Sequence, residues 1–242
     1  MHRSYWQAIA SDWDNEIFNT LARDRHHVIS KTLLELVSPR LTVADFGCGV
    51  GRCLPLLARN FERVVALDWA TACLEQARLR SRSFANVEVL RTSRANLAAL
   101  SNSCDVTLAI QVVIHPDRKA RGRALSQAVS LTRRGGWLVI VVPSLESVLH
   151  AETVRRVFRP RIKSEFDFEV GRVFRDPGVL SIGGQPTKHY VADEICLLLR
   201  VLGCVSQEPR RVEYSWRIYN ARMPRRFDKA PPWDWLVLAR RE

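Results

Sequence analysis

No CxxC pair occurs among the six cysteines, which stand at positions 48, 53, 73, 104, 196 and 204. That scatter argues against a thiolate metal cluster and is the pattern of buried, reduced thiols, so no metal site is expected. Long apolar runs are missing as well. The longest, WLVIVV at 137–142, falls far short of the roughly 20 residues needed to cross a bilayer, and no membrane span is expected. The opening MHRSYWQAIASDWDNEIFNT lacks the apolar core of a secretory signal, which makes the cytoplasm the expected location. Low-complexity tracts and internal repeats are absent too, arguing against a disordered or solenoid chain. Acidic residues are scarce beside basic ones, 25 against 37, for a net charge of +12. Such an excess suits nucleic acid, acidic lipid or small anionic substrates. An arginine-rich surface with no anionic partner would give the same balance.

What is present is material for a core: 47% of the 242 residues are hydrophobic, enough for a single α/β domain over 1–242 with some elaboration. Residues 26–37 carry apolar side chains at helical spacing, closing an N-terminal helical segment over 1–38. From there short apolar runs alternate with helical stretches. Strands are predicted at 41–47, 63–69, 86–92, 104–114 and 135–144, with helices opening from the glycines near 51 and at 70–82 and 118–133. That alternation signifies βαβ units and a parallel sheet. Between 144 and 190 the pattern lapses into polar and aromatic residues with Gly/Pro turns and no long periodicity. This reads as an irregular insertion covering one end of the sheet. A helix at 191–203 precedes two late strands, which would most simply pair as an antiparallel hairpin at the sheet's edge.

The stretch VADFGCGVGRC at 43–53 places Gly47, Gly49 and Gly51 directly behind a buried strand. Glycines there let the backbone take positive φ and approach a ligand closely. The dinucleotide fingerprint GxGxxG would need glycine where this chain has Arg52, which argues against a pyrophosphate on the helix N-terminus. Asp68 closes the second strand roughly 20 positions after the glycines, the place from which a carboxylate binds a ribose diol. It could equally serve as N-cap of the helix that follows. A ribose partner, a neighbouring Trp69 and a loop without phosphate preference together point to a nucleoside-like cofactor.

At these residues the sequence resembles the class I S-adenosylmethionine-dependent methyltransferases. VADFGCGVG is similar to that family's first motif and VVALDWA to its second, while CDVTLAIQVVIHPD and GGWLVIVVPS resemble the blocks of the fourth and fifth strands. The resemblance implies a Rossmann-like, seven-stranded, mostly parallel sheet with a C-terminal antiparallel hairpin and helices on both faces. It implies S-adenosylmethionine as cofactor, with Gly47, Cys48, Gly49 and Gly51 lining its methionine and ribose. Asp45 would orient the loop or meet the amino group, Asp68 would hold the ribose hydroxyls, and Trp69 would lie against adenine. Gln111 would bring its backbone near the methionine end. Where many members carry an adenine-binding aspartate, Ser93 aligns best in this chain, with Thr92 next to it.

The transfer itself needs an aligned nucleophile and the exclusion of water. A base is required only if the acceptor must lose a proton. His115, after the fourth strand, is the candidate for that role. His189 and Tyr190, entering the last helix, are candidates to bind substrate, and Tyr5, Trp6 and Trp13 to form a lid. The acceptor is expected to be a small organic molecule, aromatic or carboxylate-bearing. Two other readings remain: an RNA or protein methyltransferase using the basic surface, and a cofactor-binding protein without activity. The sequence lacks the Asn/Asp-Pro-Pro-aromatic signature of base-amino methylation, which weighs against nucleic acid.

Overall fold

A computed structural model describes residues 3–13, 17–38, 40–158, 164, 166–182, 184–219, 227 and 229–242. Its frame is a sheet whose strands run β1 (Thr42–Phe46), β2 (Arg63–Asp68), β3 (Val87–Arg91), β4 (Cys104–Ile110), β5 (Thr132–Pro143), β9 (Cys204–Ser206), β10 (Arg210–Glu213) and β11 (Trp233–Arg241). They lie side by side in the order β3-β2-β1-β4-β5-β11-β10, with β9 also paired to β11. The first five are mutually parallel, and β11 runs antiparallel to β5, β9 and β10. The chain reverses its direction of travel across the sheet between β1 and β4, the switch point where α/β sheets open a crevice for ligands.

Alternation along each strand sends side chains to opposite faces, and the sheet divides two cores. Ala44, Phe46, Val65 and Leu67 pack on one side with residues of the helices Arg118–Leu131 and Ala192–Val201. Val43, Val64, Ala66 and Leu108 pack on the other with Val28–Glu35 and Leu54–Asn60. Pro55 sits in the first turn of the latter helix, where its missing N–H costs nothing. Among the described residues no helix is long and apolar enough to cross a membrane.

Three elements depart from the expectations. The fourth strand stops at Ile110 rather than 114, because Gln111 takes φ +59° and turns the chain out of the sheet. The short helix Arg94–Ala99 was not foreseen; none of its residues is buried, so it carries no periodic apolar signal. The sixth strand is broken into β9 and β10 across Gln207–Pro209, where the proline has no N–H to give the ladder. The late strands form the expected antiparallel hairpin at the sheet's edge, with β10 outermost and β11 against β5.

The insertion is also more regular than expected. It opens with a 14-residue helix, Leu145–Phe158, started by Ser144 Oγ accepting from Ser147 N at 3.0 Å. Its buried stripe is Ser147, Val148, Ala151, Glu152 and Arg155. Three of the five are polar or charged, which hides helical periodicity from a reading of apolar residues. Three short antiparallel strands follow, β6 (Phe166–Asp167), β7 (Val179–Ile182) and β8 (Gln185–Lys188). Asp176 bonds both Arg121 and Lys188, and Lys188 reaches Glu194 at 2.7 Å, tying this small sheet to the two helices beneath it.

Candidate active site

A cleft of about 1280 Å³ runs along the carboxyl ends of the parallel strands. Its first half is built by the turn after β1. Gly47, Gly49 and Gly51 all take positive φ, at +76°, +52° and +80°. A Cβ on Gly47 would stand 2.4 Å from Val112 Cγ2, and one on Gly49 would stand 2.8 Å from Trp13 Cζ2. Both strain and space therefore demand glycine here. Gly47 N and Cys48 N donate to Leu67 O at 2.7 and 3.0 Å, locking the turn to β2.

Asp68 completes that lock. Its Oδ2 accepts from Gly49 N at 2.9 Å and its Oδ1 from Ala70 N at 2.8 Å. The helix Thr71–Ser81 begins with Ala70 as N-cap and no side-chain cap bond, so Asp68 braces the glycine loop rather than capping that helix. A carboxylate has about four acceptor positions, and with the Trp69 N–H also bonded one remains for a ligand. Burial pushes its pKa up, against hydrogen bonds from Ala70, Gly49 and Trp69 that pull it down.

Asp45, one strand over, is 3% exposed, and its Oδ2 has no hydrogen-bond partner among the described residues. Desolvation, with Asp68 adding repulsion, pushes its pKa up to about 7. A buried carboxylate oxygen without a donor is costly unless something supplies one. Lying beside a second carboxylate, it calls for a cation with N–H groups. Cys48 lines the same turn, its thiol pushed well above its usual range by burial and by Asp45; it is no nucleophile.

The N-terminal arm closes this half. Arg52 donates to Trp13 O, Ile17 O and Phe18 O at 3.1, 3.0 and 3.2 Å, strapping the arm across the glycine loop. Tyr5, Trp6 and Trp13 all line the cleft, with Trp6 and Trp13 ring centroids 5.3 Å apart. Trp69 faces it too and is 42% exposed, which rules out a place in the core. Thr92 lines the cleft as well, its N–H bonded to Asp68 O at 2.7 Å. Ser93 does not: its Oγ accepts from Asn96 N at 3.1 Å as N-cap of Arg94–Ala99.

The second half lies at the ends of β4, β5 and β11. Gln111, held in the left-handed region, donates from Nε2 to Asp234 Oδ2 at 2.6 Å, and Tyr214 OH donates to the same oxygen at 2.6 Å. Desolvation pushes the Asp234 pKa up to about 7, against the pull of Tyr214, Gln111 and the Ser144 N–H. Sequence reading missed Asp234 and Tyr214. The signal was there only as an acid between two tryptophans in a late apolar strand, and nothing local ties it to Gln111.

His115 and His189 both line this half. His115 Nδ1 accepts from Asp117 N at 3.0 Å. His189 is 4% exposed, its Nδ1 pairs with Thr187 O at 3.1 Å, and burial pushes its pKa down to about 4. Because a carbonyl only accepts, Nδ1 carries the proton and Nε2 is left as a lone-pair acceptor. Tyr190 is misplaced in the sequence expectation. Fully buried, it donates its OH to Val113 O at 2.6 Å and does not reach the cleft. Alternation after His189 turns it to the opposite side.

With this geometry in view, residues 43–136 match the family model described as a methyltransferase domain. No curated protein matches the chain. Among solved structures it is similar to an S-adenosylmethionine-dependent methyltransferase of Methanosarcina mazei, at 17% identity and TM-score 0.63 over 87% of this chain and 96% of that one. It is similar to the 1,6-didemethyltoxoflavin N1-methyltransferase of Burkholderia thailandensis, solved with 1,6-didemethyltoxoflavin and S-adenosylhomocysteine, at 17% identity and TM-score 0.63 over 99% and 86%. It is also similar to the magnesium protoporphyrin IX methyltransferase of Synechocystis PCC 6803, solved with S-adenosylhomocysteine, at 17% identity and TM-score 0.62 over 99% and 98%. At such identity these likenesses speak for the fold alone, and the domain match covers residues 43–136.

Proposed function

We propose that the chain is a class I S-adenosylmethionine-dependent methyltransferase and that it methylates a small organic acceptor held over β4, β5 and β11. The observation that carries the site assignment is the buried, unpartnered Asp45 Oδ2 beside three positive-φ glycines. These residues fit the cofactor: an acceptor oxygen without a donor meets an ammonium, and two desolvated carboxylates meet a molecule of net positive charge. Asp45 would take the amino group, Asp68 the ribose hydroxyls, Trp69 and Thr92 the adenine side, and Gly47, Cys48, Gly49 and Gly51 the intervening chain. When bound, the cofactor supplies a methyl group already activated on a sulfonium.

The protein's part is placement and exclusion of water. The arm strapped by Arg52 forms one wall and the 144–190 insertion the other, through Ser144, Ser147, Val148, Gln185, Thr187 and His189. Together with the sheet they make one domain whose cleft exceeds the roughly 300–1,000 Å³ of a usual ligand pocket, leaving room for a second molecule. The small acceptors named for the Burkholderia and Synechocystis proteins agree with a walled cleft, whereas RNA would need an open basic face beside it. The six unpaired cysteines suit a reducing cytoplasm.

Calorimetric titration with S-adenosylmethionine and S-adenosylhomocysteine tests the reading. Saturable binding of both, lost in Asp68→Ala, is expected; no heat from either overturns it.

A further inference from the structure

The acceptor half of the cleft is rich in hydrogen-bond acceptors and poor in available cations. Asp234 receives three donors, from Gln111 Nε2, Tyr214 OH and Ser144 N. A carboxylate has about four acceptor positions, so one is left, and Asp234 is a partly exposed residue of the cleft lining. His189 adds the Nε2 lone pair of a neutral ring. Among the described lining residues the arginines are Arg52, occupied by three arm carbonyls, and Arg123, exposed on the rim, and there is no lysine. Of the two acceptor classes the sequence suggests, aromatic and carboxylate-bearing, the latter would meet like charge here.

Position adds a second argument. Asp234 pairs in register with Pro143 at the end of β5, and Gln111 N bonds Val141 O on that strand at 2.9 Å. Across β1, β4, β5 and β11 the carboxylates of Asp45 and Asp234 stand three strand positions apart, roughly 14 Å at the usual strand spacing. One serves the cofactor end, and the other lies where the acceptor must sit.

We propose that the acceptor presents its nucleophile as an N–H or O–H and that Asp234 takes that proton. This rests on the methyltransferase reading above. The nucleophile's lone pair forms the bond to the methyl carbon while the S–CH3 bond breaks with its electron pair on sulfur, leaving S-adenosylhomocysteine. The nucleophile's proton passes to the Asp234 carboxylate, which becomes neutral as the sulfonium charge disappears. Gln111 and Tyr214 are positioning residues that fix the carboxylate's rotamer. Around Asp234 the ionisable groups are Tyr214 on the β10 side, Asp24 behind Tyr214, and Asp45, His115 and His189 along the cleft. Burial, not a neighbouring charge, raises the Asp234 pKa, and Tyr214 stays protonated because burial and Asp234 push its pKa well up.

The test uses the full chain, methyl-tritiated S-adenosylmethionine, and catechol, benzylamine and benzoate as acceptor probes. Methylation of catechol or benzylamine and not of benzoate is expected, with kcat/KM rising through a midpoint near Asp234's pKa of about 7. Asp234→Asn should lower kcat about 100-fold or more and abolish that rise, with the Kd for S-adenosylhomocysteine changed less than about threefold. Tyr214→Phe should lower kcat less than Asp234→Asn does and move the midpoint upward, since its hydroxyl favours the charged form. Benzoate as the preferred acceptor, no turnover of either protic probe by a chain that binds S-adenosylhomocysteine, or an intact pH rise in Asp234→Asn would each overturn the proposal. Failure of the wild-type chain to bind S-adenosylhomocysteine overturns the methyltransferase reading instead.

Discussion

At the ends of β1 and β2, Asp45 and Asp68 belong to neighbouring strands and to one short stretch of chain, whereas at the ends of β4 and β11 Gln111 and Asp234 meet from 123 residues apart. The first pair brackets a glycine turn and leaves Asp45 Oδ2 without a donor. The second is already supplied with donors by the protein, through Gln111 and Tyr214. One half is thus incomplete until a positively charged ligand arrives, while the other holds a single carboxylate in a fixed posture. Under the proposed function, the contrast separates binding the cofactor, which a local loop can do, from selecting an acceptor, which needs distant segments folded together.

The comparison breaks most severely at Asp68. Asp68→Ala leaves the Gly49 and Ala70 N–H groups unpaired, so a stability loss on the order of 2–4 kcal/mol is expected by thermal denaturation, with affinity for S-adenosylhomocysteine down about 100-fold by calorimetry. Unchanged affinity would reduce Asp68 to a structural brace. Next comes Gly49→Ala, which strains a +52° φ and pushes on the Trp13 ring. A cost of about 1–3 kcal/mol is expected, with a red-shifted tryptophan emission if the arm lifts.

Asp45→Asn sharpens the contrast through pH. In the folded chain Asp45 keeps its proton up to about pH 7, against 3.8 unfolded. The raised pKa therefore penalises folding progressively as pH climbs between those values, fully above the higher and not at all below the lower. The variant should stabilise the free protein by on the order of 1–2 kcal/mol at neutral to alkaline pH, with the gain fading in acid. Its affinity for S-adenosylhomocysteine should fall about tenfold and lose the wild-type weakening below pH 7. Smallest is Ser93→Ala, which removes an N-cap worth about 1 kcal/mol and should leave cofactor affinity within about twofold, measured in the same titration.

Much of the cofactor half was legible because its cause is local. Three glycines behind a buried strand require positive φ, and an acid closing the next parallel strand arrives beside them by register: Phe46 pairs with Leu67, and Asp68 follows. Thr92 against Ser93 was not legible, since both hydroxyls stand at one strand end and only the start of the helix Arg94–Ala99 decides which becomes the cap. The insertion's first helix hid behind Glu152 and Arg155 on its buried stripe. Tyr190 next to His189 was misjudged because adjacent residues in an extended segment face opposite ways.

The sequence by itself determined the parallel βαβ frame, the glycine turn and the two carboxylates beside it, since hydrophobic period and backbone conformation act over a few residues. Only the tertiary structure decided that Arg52 straps the arm, that β11 inserts beside β5, and that Asp234 meets Gln111 and Tyr214. Those contacts form when the last strand finds its neighbours in the sheet, a pairing set by the burial of whole faces and not by any residue's sequence neighbours.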